Sequence, residues 1–339
     1  MPKEVTLLTG FLGAGKTTLL NQIITRKPET RFAIVENEIG EMSIDAELVV
    51  KGATELVELN NGCLCCSLND DIFEVLNELW DKREQWDHLI IEATGIADPA
   101  NIAQPFLTME EVKRGYVLKR VICVVDAEQI EDQLRDTQEA IQQIVFSDLI
   151  LLNKTEKVSP EYLAELQVTL KTINPFATVY IGTQEDYKIK QLFQQERILN
   201  FSASPQAITP KGIFTVAKNP AKSASLLATS SSHQQHQHSE IETILLRYTE
   251  SMDITLLEHR MMVFLILQSA NVFRIKGIIY SEGFESKIIL QTVGKSLAVD
   301  LGERWLPDEP RESKVVFIGK NLQVHGFDKM FRDCLTKNL

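Results

Sequence analysis

An open, parallel α/β sheet flanked by helices, joined to a smaller C-terminal α+β domain, is the fold class this sequence predicts, on three observations. In the first half, short apolar runs alternate with longer amphipathic ones, as when strands and helices take turns in one sheet. Those short runs lack polar alternation, which suits strands covered on both faces. Past residue 240 the pattern changes to one long apolar helix among short strands. The chain has 339 residues, more than one hydrophobic core ordinarily serves, so two domains are expected. Their expected bounds are 1–200 and 241–339, with a flexible Ser/Gln/His-rich connection over 201–240.

Strands are expected at Val5 to Thr9, Phe32 to Glu36, Leu89 to Thr94, Val121 to Asp126, Leu149 to Asn153 and Thr178 to Ile181. Helices are expected at Thr17 to Thr25, Asp70 to Trp80, Ala127 to Val145 and Pro160 to Thr172. Ser159 before Pro160 supplies a capping hydroxyl and then proline at the first helical position. From Lys218 to Glu240 the chain is rich in Ser, Ala, Gln and His, with too few apolar residues to bury a core. Beyond it come a strand at Ile244 to Leu246, a helix from Ile254 to Ala270, strands at Phe273 to Tyr280, Lys287 to Gln291 and Val315 to Ile318, and a closing helix from Gly326 to Lys337.

Hydrophobic residues are 44% and charged residues 24%, in keeping with a globular domain protein. No apolar stretch is long enough to span a bilayer, and no basic segment followed by a cleavage site opens the chain. A cytoplasmic location is the resulting expectation. With a net charge of −12 and no long basic run, neither nucleic acid nor an anionic membrane is an expected partner.

Gly10-Phe11-Leu12-Gly13-Ala14-Gly15-Lys16-Thr17 fits the phosphate-binding P-loop pattern G-x-x-x-x-G-K-[ST] in full, between an expected strand and an expected helix. Glycines let the backbone wrap phosphates, and the N–H groups of Gly10, Gly13, Ala14, Gly15, Lys16, Thr17 and Thr18 are candidates to face them. Lys16 would reach the β- and γ-phosphates, and the Thr17 hydroxyl would ligate Mg²⁺. Glu92 ends an apolar strand and is the expected acidic partner of that ion, directly or through water. Gly95 lets the following loop approach the γ-phosphate.

Asn153-Lys154-Thr155-Glu156 follows another apolar strand and is similar to the N-K-x-D element that reads guanine, with Glu156 in place of Asp. GTP is therefore the expected nucleotide.

Three of the five cysteines, Cys63, Cys65 and Cys66, crowd into C-x-C-C. Thiolates so placed suit one soft ion such as Zn²⁺ or Cu⁺, with a fourth position left for another group. A redox pair or buried structural thiols are the competing readings. Cys123 lies in an apolar run and reads as a small hydrophobe. Glu36, Glu38, Glu41 and Asp45 follow the second strand. Glu38 or Asp45 is a candidate to orient water, and Glu36 and Glu41 to offer a carboxylate to the thiol-bound metal; a plain solvated loop is the alternative. The run His233, His236 and His238 reads either as weak metal binding or as ordinary linker. His259, on an apolar helix, reads as a satisfied core histidine.

Together, Thr9 to Leu20, Glu36 to Gly40, Asn60 to Ser67, Glu92 to Pro99 and Asn153 to Glu156 closely resemble the CobW-type metallochaperone GTPases of the CobW/HypB/UreG class. Arg274 to Gly277 and Val316 to Gly319 are similar to that family's second domain. The resemblance implies slow GTP hydrolysis, for which Lys16, Glu38, Asp45 and Glu92, singled out above from the residues themselves, are the candidate catalytic set. It implies Zn²⁺ at Cys63, Cys65 and Cys66, with Glu36 and Glu41 as candidate contributors. Delivery of the metal to a client metalloprotein follows, and a nucleotide- or metal-dependent homodimer is compatible with it. Two other functions remain open at this point: a nucleotide-gated assembly factor with a structural metal site, and an ATP-dependent kinase built on the same loop.

Overall fold

A computed structural model describes residues 1–36, 55–58, 68–183, 187–194, 214–217, 241–267 and 269–336, with 55–58, 68–71 and 214–217 described by backbone alone. The chain divides into two compact units, Met1–Ile198 and Leu199–Leu339.

The first unit carries strands β1 (Lys3–Thr9), β2 (Phe32–Glu36), β3 (Glu55–Glu58), β4 (His88–Glu92), β5 (Tyr116–Asp126), β6 (Leu149–Asn153) and β7 (Thr178–Ile181). They form a seven-stranded sheet in the order β3-β2-β4-β1-β5-β6-β7, with every neighbour parallel. Each residue of β2, β4 and β6 is buried. That is why those strands read as unbroken apolar runs. Helices α1 (Lys16–Arg26), α2 (Leu68–Asp81), α3 (Pro99–Thr108), α4 (Glu110–Gly115), α5 (Ile130–Asp136), α6 (Gln138–Phe146), α7 (Pro160–Ile173) and α8 (Ile189–Gln194) complete the unit. Strand order turns back at β1, which lies between β4 and β5. The crevice at the carboxyl ends of these strands is where such sheets bind ligands.

Several expectations are corrected. The single helix expected over Ala127 to Val145 is two. Thr137 adopts an extended backbone between them, closes α5 by its N–H to the Gln133 carbonyl, and caps α6 by accepting from Ala140. The expected strand Leu89 to Thr94 stops at Glu92. Strand β3 and helices α3, α4 and α8 were not foreseen. In α3 the Asp98 carboxylate caps the Ala100 N–H before Pro99 opens the helix, and Pro105 inside it hid the helical pattern. Ser159 and Pro160 start α7 as expected.

The second unit carries β8 (Phe214–Ala217), β9 (Ile241–Tyr248), α9 (Ile254–Leu267), β10 (Val272–Ile279), β11 (Ser286–Val293), β12 (Ser296–Arg304), β13 (Ser313–Lys320) and α10 (Val324–Arg332). Its six strands run in the order β12-β11-β10-β13-β9-β8, antiparallel throughout. Strand β8 lies inside the segment read as connection; its short Phe-Thr-Val-Ala run pairs with β9 at the sheet edge. Leu257, Met261, Phe264 and Leu265 of α9 and Phe327 and Phe331 of α10 pack on Ile244, Leu246, Ile275 and Phe317. This stripe leaves His259 exposed, not in the core as expected. Helix α9 is apolar nearly all round, so its sequence does not say which face is buried. It ends at Leu267, and α10 ends at Arg332, both short of the expected limits. Among the described residues no helix is long and apolar enough to cross a membrane.

At the opposite end of the first sheet, His88 opens β4 and is buried. Its Nε2 lies 2.8 Å from Thr6 Oγ1, and its Nδ1 faces Glu4 at 3.4 Å. Burial, then the charges of Arg120 and Lys27, push its pKa down to about 3. The unfolded chain takes up this proton near the ordinary value of about 6.5, so stability falls as the pH drops below that value. Linkage gives a loss of about 2 kcal/mol at pH 5 relative to pH 7.5. Urea denaturation of the His88→Gln variant is expected to lack this component; an unchanged pH dependence would show that His88 does not cause it.

Candidate functional site

The site lies at the carboxyl ends of β1, β2, β4, β5 and β6. Gly10-Thr17 joins β1 to α1. Gly10 holds φ 136° and Gly15 φ 106°, conformations that side chains rarely adopt. A Cβ on Gly10 would run into the carbonyl oxygen of Val124 in β5, and one on Gly15 into Asn153 Nδ2. Gly13, in contrast, faces open space, where a phosphate can approach the backbone. Helix α1 begins at Gly15 with no side chain capping its N–H groups. An uncapped N-terminus with its partial positive charge is a fitting place for phosphate oxygens. Ala14 is buried, Thr18 is exposed on the first turn, and the Lys16 side chain lies in the loop mouth. Its Nζ donates to the carbonyls of Gly10 at 3.0 Å and Phe11 at 3.3 Å.

Thr17 Oγ1 donates to Glu92 Oε1 at 2.9 Å. Two hard oxygens, one of them anionic, are thereby brought together beside the phosphate loop. This donor set fits Mg²⁺, which takes one or two protein oxygens and leaves its other positions to water and phosphate. Glu92 does not stand by itself. Sheet register aligns it with Glu36 across β4 and β2, and aligns Glu36 with Glu58 across β2 and β3. Glu36 and Glu92 are both buried. Residues in register on parallel neighbours share a face, so Glu36 and Glu92 make a row of two carboxylates leading from the P-loop side toward the sheet edge.

The Asn153-Lys154 turn after β6 is tied to the P-loop. Asn153 Nδ2 donates to the Ala14 carbonyl at 2.8 Å. Lys154, at φ 55°, donates from Nζ to the Gly13 carbonyl at 2.8 Å and to Asp126 Oδ2 at 2.7 Å. Glu156 is exposed in a short 3-10 turn, Thr155–Lys157. Asp126 was not among the residues singled out from sequence. Its signal was available, since it ends an apolar strand just as Glu92 does.

Gly95 follows β4 and packs on the P-loop so closely that a Cβ would stand 2.6 Å from the Leu12 backbone nitrogen. Gln143 of α6, buried, donates from Nε2 to the Gly95 carbonyl at 3.0 Å and the Ala97 carbonyl at 3.4 Å. Gln143 was also missed; nothing in a mid-helix glutamine signals a distant loop.

Cys123 is buried as expected, and burial pushes its thiol up to about 12, so it stays protonated. Glu38, Glu41, Asp45, Cys63, Cys65, Cys66, His233, His236 and His238 lie outside the described residues. Strand β3, which ends at Glu58, is the last described element before Cys63, Cys65 and Cys66 in sequence. From β3 to β1 is three strand spacings, about 14 Å, and β2 and β4 with Glu36 and Glu92 occupy the interval.

Comparison with known proteins bears on the reading. The family described as CobW/HypB/UreG, nucleotide-binding domain, matches residues 4–181, and the Cobalamin synthesis protein cobW C-terminal domain matches residues 241–335. The chain is 33% identical to the zinc chaperone YjiA of Escherichia coli K12 over 326 residues, 95% of each protein. It is 28% identical to the zinc chaperone CobW of Pseudomonas aeruginosa, over 98% of this chain and 91% of that one. The crystal structure of Zn(II)-bound YjiA GTPase from E. coli superposes with a TM-score of 0.67 at 28% identity, covering 99% of this chain and 100% of the other. A Zn(II)-bound YjiA variant with one glutamate and two consecutive cysteines changed to alanine gives 0.68, with the same identity and coverage.

Proposed function

We propose, from the premise that this chain belongs to the CobW/HypB/UreG family, that it is a GTP-hydrolysing metallochaperone whose Zn²⁺ cargo is held at Cys63, Cys65 and Cys66 and passed to a client metalloprotein. The observation that carries this reading is the in-register pair Glu36 and Glu92, standing between the phosphate loop and the strand that leads to the thiols.

The proposed roles are as follows. The Gly10-Thr17 backbone and the start of α1 bind the phosphates. Lys16 places its ammonium in the loop mouth, where it neutralises charge developing on the transferred phosphoryl group. Thr17 and Glu92 would hold Mg²⁺, which would supply positive charge to screen the phosphates. Asn153 and Lys154 seat the base, and Glu156 is the acceptor for the guanine N–H groups. The proposed water-orienting groups are Glu38 and Asp45. Glu36 and Glu41 are proposed to add carboxylates to the thiolate set. The 241–339 domain is proposed as the client-facing part and the cytoplasm as the location.

Because the carboxylate row is shared, Zn²⁺ and γ-phosphate occupancy should be energetically linked. Titration of Zn²⁺ against the protein loaded with GDP or with a non-hydrolysable GTP analogue is expected to give affinities at least about fivefold apart, a coupling near 1 kcal/mol. By reciprocity Zn²⁺ shifts nucleotide affinity by the same factor. The Cys65→Ser/Cys66→Ser variant is expected to lose Zn²⁺ binding while keeping its thermal midpoint. Equal Zn²⁺ affinities in both nucleotide states would remove the coupling, and a collapse of stability in the variant would mark the metal as structural.

A further inference from the structure

One buried carboxylate stands where the base-reading turn meets the phosphate loop. Asp126 ends β5 and is paired in register with Asn153 on β6. Its side chain is 1% exposed. Oδ1 accepts the Glu128 N–H at 3.0 Å, and Oδ2 accepts Lys154 Nζ at 2.7 Å. The same ammonium donates to Gly13 at 2.8 Å. A carboxylate this deep requires a cationic partner. Lys154 in turn holds a left-handed backbone, φ 55°, which a lysine keeps only when its surroundings fix it. An ordinary stabilising ion pair would need neither that backbone nor a second contact in the nucleotide loop.

We propose, on the reading of Asn153-Lys154 as the guanine turn, that Asp126 is a positioning residue for nucleotide binding. It fixes the far end of the Lys154 side chain, so that the turn seating the base and the loop seating the phosphates are held as one piece. Without the carboxylate the ammonium exchanges its fixed partner for water and the Gly13 contact loosens. Base and loop are common to GTP and GDP, so both affinities fall together. KM rises and kcat is retained, because no group at the γ-phosphate has changed.

The test is a double-mutant cycle on the full chain, read as Kd for a fluorescent GDP with Mg²⁺. Asp126→Asn is expected to weaken binding about tenfold, Lys154→Met by a similar factor, and the pair no more than Lys154→Met alone. Wild-type affinity in Asp126→Asn, or multiplication of the two factors in the double variant, overturns the proposal. If Asp126→Asn does not fold, Asp126→Glu keeps the charge and displaces it by one methylene. An intermediate loss of affinity at unchanged thermal midpoint is then expected, and unchanged affinity overturns the proposal. Competition by ADP in the wild type keeps the premise separate. Equal competition by ADP and GDP would remove the guanine reading itself, whereas a guanine preference with an inert Asp126 removes only the positioning role.

Discussion

Gly10→Ala is expected to abolish nucleotide binding and to lower the thermal midpoint of the first unit by about 10 °C. Two costs combine. The backbone at Gly10 holds φ 136°, outside the range an alanine adopts without strain. The added methyl would also meet the carbonyl oxygen of Val124, which cannot move aside because β5 is bonded on both edges, to β1 and β6. Strain and overpacking together amount to roughly 3–5 kcal/mol, and a unit of this size loses about 2–4 °C per kcal/mol. Relief requires the loop to lift away from β5, which carries Lys16 and the α1 N-terminus out of register with the phosphates. Calorimetry and nucleotide titration on the purified variant check both parts. A variant that binds GDP normally would show that the loop has room the structure does not display.

Lys16→Met is expected to have the second-largest effect, and on a different quantity. The stem is nearly isosteric and the residue is mostly buried, so the fold is retained. What is lost is the one positive side chain of the loop, proposed above to meet the charge that develops on the phosphoryl group. Removing a preorganised donor of this kind lowers turnover about 10²–10³-fold. Single-turnover GTP hydrolysis at saturating nucleotide measures it, with circular dichroism as the check on folding. Turnover within a few-fold of wild type would mean that the transition state is stabilised by the backbone and metal alone. In combination the two variants separate loop shape from loop charge.

The parallel sheet was legible because β2, β4 and β6 are buried on both faces and so leave uninterrupted apolar runs. Where an element lies at an edge, that signal fades. Strand β3 is Glu-Leu-Val-Glu and, among the described residues, pairs with β2 alone. Strand β12 carries Asp300, Gly302 and Glu303 on an exposed border, and β8 is four residues long. The α5–α6 break depended on the Thr137 hydroxyl, an interaction that helical periodicity does not encode. The phosphate loop, Glu92 and the Asn153 turn were legible because each follows a buried strand with a residue type that the chemistry demands. Gln143 was not, because its role is set by partners far away in sequence, the carbonyls of Gly95 and Ala97; Asp126 carried the same strand-end signal as Glu92, but nothing in sequence named its partner, Lys154. Such residues are identified by what they touch.

The clasp of Gln143 on the turn after β4 has a mechanical corollary. One amide nitrogen serves two carbonyls of the turn that packs on the P-loop, and its rigid mount is a helix on the flank of the sheet. If arrival or loss of a terminal phosphate displaces Gly95, the turn must either shed both bonds or tug α6 along with it. In the second case the nucleotide's chemical history would be written on the flank, within reach of a protein that never enters the crevice.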